Sequence, residues 1–327
     1  MRVLQAQSKQ GELRHLPDGA AAEPSADRPE RGSVITIGAF DGLHIGHRSL
    51  IRQVISRAQD LDCASAVITF DRHPASVVRP ESAPPLLTDL DQKLELIGAT
   101  GVDYTLVVPF DEARAQEEAE DFIDEVLIDR LGARAIVIGH DFHFGRGRRG
   151  DAEMLDEIGK SKGFEVIEPA VVMVDDVVVS STAIRAALDE GRVQDAAIML
   201  GRPHEVRGLV IMGDGRGREL GYPTANIHIP STIKLPADGV YAGTYSSPDG
   251  KEHPAAISLG TRPTFYDNGD QLLEVHLIDF SGDLYGQNAR VRFTHRIRGQ
   301  ERFDSVEALV KKMAEDTAAA QRMLANK

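Results

Sequence analysis

The 327-residue sequence predicts an α/β domain followed by a mainly β domain. Between residues 33 and about 164, short β-branched runs alternate with helical stretches, a pattern typical of a doubly wound parallel sheet. Beyond about Gly201, β-like runs follow one another between turn residues, and a helix closes the chain at about 304–324. This second pattern predicts an antiparallel barrel, or the related sandwich, with a terminal helix. We take the barrel as the fold class and divide the chain into domains 1–200 and 201–327.

The elements of the first domain begin with a strand at Ser33–Ile37, a β-branched run with the length of a buried parallel strand. Apolar residues recur at helical spacing after Gly46, so a helix begins close to His47. Further strands are predicted at 67–70, 104–108 and 135–138, and further helices at 89–99, 115–131 and 151–162. Ligands of such a sheet bind at the carboxyl ends of its strands.

Two histidines lie at the first turn from strand to helix. His44 and His47 stand in H-x-G-H spacing. The first N–H groups of a helix have no partner within it and its dipole favours an anion, while imidazoles three residues apart can donate to the same phosphate. The segment therefore predicts a nucleotide-phosphate site. The other binding residues assigned to this turn are Gly38, Phe40 and Asp41.

A second group of phosphate-binding candidates opens a later helix of the same domain. Ser181 and Thr182 place hydroxyls at its start, and Arg185 follows one turn later. A guanidinium beside a helix N-terminus suits a triphosphate. The order H-x-G-H, then S-S-T-x-I-R, resembles the two nucleotide signatures of the prokaryotic FAD synthetase family, a branch of the nucleotidylyltransferases.

Two segments lie between these signatures, of which one matches the family and the other departs from it. G-H-D-F-H-F-G at 139–145 is similar to the family's G-x-[DN]-F-x-F-G, which implies that Asp141 lies near the nucleotide. The family usually has T-F-x-P-H-P, whereas the segment from Thr69 to Pro74 carries Arg72 in place of the expected proline. This long cationic side chain either reshapes the flavin-binding site or contacts the incoming phosphate.

The second domain carries a glycine-rich loop, G-D-G-R-G-R-E-L-G-Y-P-T-A-N, at 213–226. Glycines let backbone N–H groups approach phosphates, and the oxygens of Thr224 and Asn226 are hard ligands fit for Mg²⁺. Joined to P-T-A-N, the loop closely resembles that of the riboflavin kinase family. The glycines assigned to nucleotide binding are Gly213, Gly215 and Gly217.

Strand-like runs of the second domain are predicted at 206–212, 240–245, 255–259, 273–279 and 289–294. Period-two alternation separates Glu274 from the apolar row Leu273, Val275 and Leu277. The resemblance to riboflavin kinases implies that Glu274 is the base for the riboflavin hydroxyl. It also implies that Arg262 and Arg298 contribute to binding, the latter near the flavin.

The net charge, the cysteine count and the lack of long apolar runs narrow the classes of function that the protein can have. The net charge of −14 argues against broad nucleic-acid binding, which needs many cations at phosphates. The single cysteine excludes an intramolecular disulfide and fits a reducing cytosol, and the sequence has no apolar run near the ~20 residues of a membrane helix and no signal-peptide core at its start. We therefore expect a cytoplasmic protein without membrane or nucleic-acid partners, and the sequence leaves its oligomeric state open.

The resemblance covers roughly residues 33–310 and implies two ATP-dependent activities, conversion of riboflavin to FMN and of FMN to FAD with release of pyrophosphate. Riboflavin, FMN, FAD and ATP are then substrates or products, and Mg²⁺ is the expected cofactor. Two alternatives remain, a nucleotidylyltransferase for another acceptor and a flavin-binding regulator without turnover. The intact candidate residues, His44, His47, Thr224, Asn226 and Glu274, favour the enzyme.

Overall fold

The computed structural model describes residues 1–5, 28–213, 220–261 and 271–325. These residues divide into two compact units, Met1–Val179 and Ser180–Lys327. Within the described ranges, none of the helices combines the length and apolar character needed to cross a membrane.

The first unit is built on a six-stranded sheet in which every described pairing is parallel, with the strand order β1-β4-β3-β2-β5-β6. The doubly wound parallel sheet predicted from the sequence is confirmed. Its strands are β1 (Arg2–Gln5), β2 (Ser33–Ile37), β3 (Ala64–Phe70), β4 (Tyr104–Val108), β5 (Ala133–Val137) and β6 (Glu165–Ile167). The helices are α1 (Ile45–Asp60), α2 (Ala75–Val78), α3 (Leu90–Gly98), α4 (Glu112–Ala115), α5 (Ala119–Phe122), a π-helix (Ile123–Arg130) and α6 (Ala152–Lys162), with 3-10 turns at Pro80–Ser82 and Arg146–Arg148.

Helices cover both faces of this sheet. On one face Val34 of β2 packs in a buried cluster with Val54 and Ala58 of α1. Its neighbour Ile35 points to the opposite face, into a cluster that contains Phe122 and Leu155. Alternate side chains of a central strand thus serve two separate cores, which explains why β2 is buried along its whole length.

The helix predicted at 115–131 is wrong in its bounds, because the chain forms α4, α5 and the π-helix there. Buried Glu117 accepts hydrogen bonds from Arg114, and its carbonyl accepts from the N–H of Arg146 at 2.7 Å. These contacts separate α4 from α5. The apolar spacing marks the buried face correctly, but it does not distinguish α from π hydrogen bonding. A two-stranded hairpin, β7 (Met173–Val174) and β8 (Val177–Val178), completes the unit.

The second unit contains a closed antiparallel barrel with the order β10-β13-β12-β11-β14-β9. The predicted barrel with a terminal helix is confirmed. Its elements are α7 (Ser181–Asp189), α8 (Val193–Leu200), β9 (His204–Ile211), β10 (Ala225–His228), β11 (Gly239–Ser246), β12 (Glu252–Thr261), β13 (Gln271–Leu277), β14 (Asn288–Arg298) and α9 (Val306–Ala325).

The helices α7 and α8 are grouped with the barrel. The N–H of Ala237 donates to the carbonyl of Leu188 at 2.8 Å, and Arg296 Nη1 donates to the carbonyl of Glu190 at 2.9 Å. Lys234 also forms an ion pair with Asp189. These contacts place the division between compact units at Val179/Ser180, ahead of the boundary at 200/201 expected from the change in sequence pattern.

Candidate active sites

The first candidate site lies where the strand order of the parallel sheet reverses. From β2 the chain continues to β3 and β4 on one side, whereas β5 pairs with the other side of β2. The crevice at such a switch point is where open α/β sheets bind ligands. The turn after β2 carries both histidines, and the turn after β5 carries Asp141.

The turn after β2 is held in an unusual backbone conformation. Phe40 and Leu43 have positive φ angles of 49° and 34°, and both side chains are buried. The carboxylate of Asp41 accepts hydrogen bonds from the N–H groups of Leu87 at 2.9 Å and Thr88 at 3.1 Å. Phe40 and Asp41 therefore fix the shape of the turn, and direct contact of either with a nucleotide stays a prediction.

At Gly38 and Gly46 the absence of a side chain lets the rings of nearby residues pack against the backbone of this turn. The N–H of Gly38 donates to the carbonyl of Ile68 at 3.1 Å, and a Cβ there would lie 3.3 Å from the ring of Phe40. A Cβ at Gly46 would lie 3.1 Å from the ring of His44. The glycine of H-x-G-H thus leaves room for the first histidine.

His44 and His47 form a stacked pair at the start of α1. The N–H of His47 donates to His44 Nδ1 at 3.3 Å, so His44 is the N-cap and carries its proton on Nε2. The ring centroids are 3.5 Å apart, and the edge of Phe40 packs on His47 at 5.1 Å. The stacking agrees with the expectation that the two rings lie side by side, and their donation to phosphate oxygens stays a prediction.

The environment of His47 favours an anionic ligand. Its Nδ1 is buried and has no hydrogen-bond partner among the described residues. Burial lowers the pKa of His47 well below its ordinary value, and electrostatic interactions with His44 and Lys93 lower it further. With a proton on Nδ1, His47 could donate to a bound phosphate, which would also supply a counter-charge.

Lys93 is a residue of this site that the sequence reasoning missed. Its ammonium lies at the carboxyl ends of β2 and β3, where it donates to the carbonyls of Ala39 and Phe70. Burial lowers the pKa of Lys93 to about 8, against the opposing effect of Asp41 and Asp71. Lys93 lies on the same face of α3 as the buried Leu94 and Ile97. A lysine within the apolar face of a predicted helix is the sequence pattern that could have identified it.

Asp141 is exposed on the turn after β5. The neighbouring Phe142 and Phe144 stack with ring centroids 5.4 Å apart and pack against the core, so they anchor this turn. The position at the sheet edge agrees with the prediction, while the role of Asp141 toward a nucleotide stays a prediction.

The S-S-T-x-I-R segment forms the first turns of α7. Ser180 is the N-cap and accepts from the N–H of Ala183 at 3.1 Å, so Ser181 and Thr182 are not needed for capping. Arg185 is half-buried one turn into the helix. These residues belong to the second compact unit, and their joint action with the histidine pair stays a prediction.

Arg72 lies just beyond the end of β3. Its Nε is buried without a hydrogen-bond partner among the described residues and lies 3.7 Å from Asp71 Oδ2. A cation therefore does replace the expected proline ring near this strand end, and both interpretations of Arg72 stay open.

The second candidate site is a cavity of about 350 Å³ on the outer face of the barrel, beside α9. Its lining combines aromatic and aliphatic side chains with polar groups, the usual composition of a site for an amphipathic ligand. Its lining includes Tyr222, Thr224, Glu274, Arg298, Phe303 and Met313.

Glu274 lies on the face of β13 that the alternation predicts. Leu273 and Val275 are buried, whereas Glu274 is half-buried and lines the cavity. In the ladders Glu274 is directly opposite Asn226 of β10 and Ser258 of β12. Directly opposite residues share a face of the sheet, so the predicted base and one predicted metal ligand stand side by side.

Asn226 has an unsatisfied oxygen. The side chain is 6% exposed, and its Oδ1 has no hydrogen-bond partner among the described residues. A Cβ at Gly213 would lie 2.1 Å from Asn226 Nδ2, so the glycine makes room for this amide. Thr224 lines the cavity two residues earlier. A buried unpaired amide oxygen beside a carboxylate fits a hard cation such as Mg²⁺.

His276 holds the turn that precedes β10. Its Nδ1 lies 2.9 Å from the carbonyl of Pro223, which only a protonated Nδ1 can bond, and its ring packs against Tyr222 with centroids 5.3 Å apart. This histidine, on the same face as Glu274, was not singled out as a site residue from the sequence.

Arg298 connects the cavity wall to α9. It donates to the buried Asp316 through Nε at 3.1 Å and Nη2 at 2.8 Å, and its guanidinium lies 5.7 Å from the ring centroid of Phe303. The contacts give Arg298 a structural role at the cavity, and flavin binding stays a prediction. Gly215, Gly217 and Arg262 lie outside the described residues.

Two candidate phosphate sites on unrelated folds, one in a parallel sheet and one on a barrel, are the arrangement of a two-domain nucleotide-dependent transferase. A sequence model of FAD synthetase matches residues 26–183, and one of riboflavin kinase matches residues 200–324. The bifunctional riboflavin kinase/FMN adenylyltransferase of Pseudomonas fluorescens is 39% identical over 91% of this chain and 95% of its own length. The chain belongs to the bifunctional riboflavin kinase/FMN adenylyltransferase family.

Two further comparisons, one of sequence and one of structure, also cover most of the chain. The protein of the same description from Escherichia coli (strain K12) is 36% identical over 90% of this chain and 93% of its own length. A crystal structure described as a macrolide-efflux protein from Streptococcus pneumoniae covers 98% of this chain and 99% of its own, with a TM-score of 0.82 and 29% identity. That description attributes efflux to the Streptococcus pneumoniae protein, and the activity is not transferred to this chain.

Proposed function

We propose that the chain phosphorylates riboflavin in the cavity on the barrel and adenylylates the resulting FMN at the switch point of the parallel sheet. The observation that carries this assignment is the pairing of each site with its own family match, FAD synthetase for residues 26–183 and riboflavin kinase for 200–324. The catalytic domains are taken as 1–200 and 201–327, and the ATP requirement and single cysteine support a cytoplasmic location.

In the kinase site the terminal hydroxyl of riboflavin attacks the γ-phosphorus of ATP, and the bond to ADP breaks. Glu274 accepts the hydroxyl proton, while the apolar wall of the cavity holds the flavin ring. Thr224 and Asn226 would hold Mg²⁺, which neutralises phosphate charge when bound. The glycine-rich motif that begins at Gly213 would bind the phosphates through backbone N–H groups, although residues 214–219 lie outside the described part of the chain.

In the adenylylation site an oxygen of the FMN phosphate attacks the α-phosphorus of a second ATP, and pyrophosphate leaves. The attacking group is already ionised, so this step requires no base. His44, His47 and Arg185 stabilise the negative charge that gathers on the transferring group and on pyrophosphate. Positioning two polyanions against their mutual repulsion is then the main task of the protein.

A test uses the purified full-length chain with riboflavin and ATP, with and without Mg²⁺, followed by chromatographic separation of the flavins. We expect FMN to appear first and FAD later, together with pyrophosphate, and neither product without a divalent cation. FMN without FAD would indicate a different acceptor for the adenylylating unit. Flavin binding without either product would instead support a regulator.

A second prediction concerns the kinase unit alone. A fragment of residues 180–327 keeps the contacts of α7 with Ala237 and Arg296, so it should fold and convert riboflavin to FMN without making FAD. A fragment of residues 202–327 lacks them and should have a lower melting temperature, as measured by circular dichroism. A well-folded 180–327 fragment that binds both substrates but yields no FMN would contradict the assignment of the kinase.

A further inference from the structure

The ammonium of Lys93 joins two adjacent strand ends of the parallel sheet. Lys93 is 7% exposed, and its Nζ donates to the carbonyl of Phe70 at 2.8 Å and to that of Ala39 at 3.2 Å. Phe70 is the last residue of β3, and Ala39 belongs to the turn after β2. Because β2 and β3 are neighbours, one side chain ties the turn that carries His44 and His47 to the sheet.

Among the described residues, no carboxylate forms a close ion pair with Lys93. Both of its hydrogen bonds within the described residues go to neutral carbonyls. The acids that act on it electrostatically are engaged elsewhere, since Asp41 accepts from Leu87 and Asp71 accepts from the N–H of Phe110 at 2.8 Å. Burying an ammonium without a carboxylate partner costs free energy, and buried titratable groups with perturbed pKa values cluster at functional sites.

The same charge acts on the histidine pair. Lys93 is one of the groups that lower the pKa of His47, so the ammonium and the imidazole belong to one electropositive cluster at the carboxyl ends of β2 and β3. The charged or titratable groups on the elements around Lys93 include Asp41 and His44 in the turn, His47 and Arg48 in α1, Asp71, Arg72 and His73 after β3, and Asp89, Asp91 and Glu95 at the start of α3 and within it.

We propose that Lys93 is a positioning residue for adenylyl transfer, which fixes the turn of the histidine pair and holds a positive charge beneath the phosphates that meet there. The proposal rests on the assignment of FMN adenylylation to this unit. The ammonium offsets the repulsion between the FMN phosphate and ATP while one phosphorus–oxygen bond forms and the bond to pyrophosphate breaks. It takes no part in proton transfer.

The first test replaces Lys93 with methionine, which keeps the length of the side chain and removes the charge. With supplied FMN, Lys93→Met should lower kcat for FAD formation by about 10²-fold, the usual order for loss of one charge-stabilising group. FMN formation from riboflavin in the same sample should stay unchanged. The matched control is Lys162→Met, which removes an exposed lysine paired with Asp124 and should leave both rates unchanged.

The second test is the pH profile of kcat/KM for FAD formation, which reports on the free enzyme. Because the pKa of Lys93 is about 8, the wild-type rate should fall above that pH as the ammonium loses its proton. Arginine stays charged throughout this range, so Lys93→Arg should lose this alkaline decline even if its maximal rate is lower.

Unfolding would not imitate this decline. The pKa of Lys93 is lower in the folded protein than its ordinary value of 10.5, so the unfolded chain binds more protons between pH 8 and 10.5. The contribution of Lys93 to stability therefore rises with pH in this window. A purely structural lysine would give the wild type and Lys93→Arg profiles of the same shape.

Two outcomes separate the inference from the proposed function. If the wild type makes FAD, and Lys93→Met makes it at a near-normal rate with an unchanged pH profile, the role of Lys93 is wrong and the function stands. If the wild type makes no FAD from supplied FMN, the assignment of the site fails. Should Lys93→Met not fold, the comparison of the wild-type and Lys93→Arg profiles decides the question alone.

Discussion

His47→Ala should lower the rate of FAD formation from supplied FMN by about 10²–10³-fold while FMN formation from riboflavin stays nearly intact. The mutation removes a half-buried imidazole whose Nδ1 has no hydrogen-bond partner in the part of the chain that the structure describes, and whose ring stacks on His44 with centroids 3.5 Å apart. The kinase cavity is lined by residues of the other compact unit, so it should not respond. Both rates can be measured on one preparation by chromatography of the flavins.

Two further variants show whether the loss is specific. Arg52→Ala removes an exposed residue of the same helix and should leave both activities unchanged. His47→Asn keeps a hydrogen-bond donor without an imidazole, and its rate should fall between those of the wild type and His47→Ala. An equal loss of both activities in a stably folded His47→Ala protein would count against separate sites.

Glu274→Gln should lower kcat of the kinase by about 10²–10⁴-fold if proton transfer to a base limits the rate. The amide keeps the shape and the hydrogen-bonding reach of the carboxylate, but it cannot take the proton of the riboflavin hydroxyl. The KM values for riboflavin and ATP should change little. Adenylylation of supplied FMN should persist, because the histidine pair belongs to the other compact unit.

Glu252→Gln is the matched control for this experiment. Glu252 is the first residue of the neighbouring strand β12, six residues before Ser258, which is the residue opposite Glu274. It forms an ion pair with Arg292 at the surface. Its replacement should leave kcat unchanged. A near-normal kcat for Glu274→Gln would remove the base role and leave Glu274 as a residue that orients the hydroxyl, because a loose phosphoryl-transfer transition state needs little help from a base.

Much of each site could be predicted from local sequence. The H-x-G-H spacing, the β-branched run before it and the apolar spacing after it place His44 and His47 at a strand-to-helix turn. Alternation along β13 likewise places Glu274 opposite the buried face that contains Val275. These predictions succeed because the direction of a side chain follows from the period of its own helix or strand.

Other features could not be predicted this way. The sequence did not mark β10 as a strand, because the four residues Ala225–His228 are too few to show alternation. They become a strand by pairing with β9 and β13, which closes the barrel. The position of the boundary between the compact units could not be predicted either. It depends on long-range contacts that place α7 and α8 with the barrel, and local sequence composition does not report such contacts.

The sequence by itself determined the two fold classes, the order of the domains and the residues that carry most of the proposed chemistry, because periodicity, turn composition and motif spacing are local properties. The tertiary structure decided which groups became buried and electrostatically coupled. Lys93 reaches the carbonyl of Ala39 from 54 residues away, and Asp41 binds the N–H of Leu87 from 46 residues away. Burial and the distance between charges set the pKa values of Lys93 and His47, and both depend on how distant segments pack.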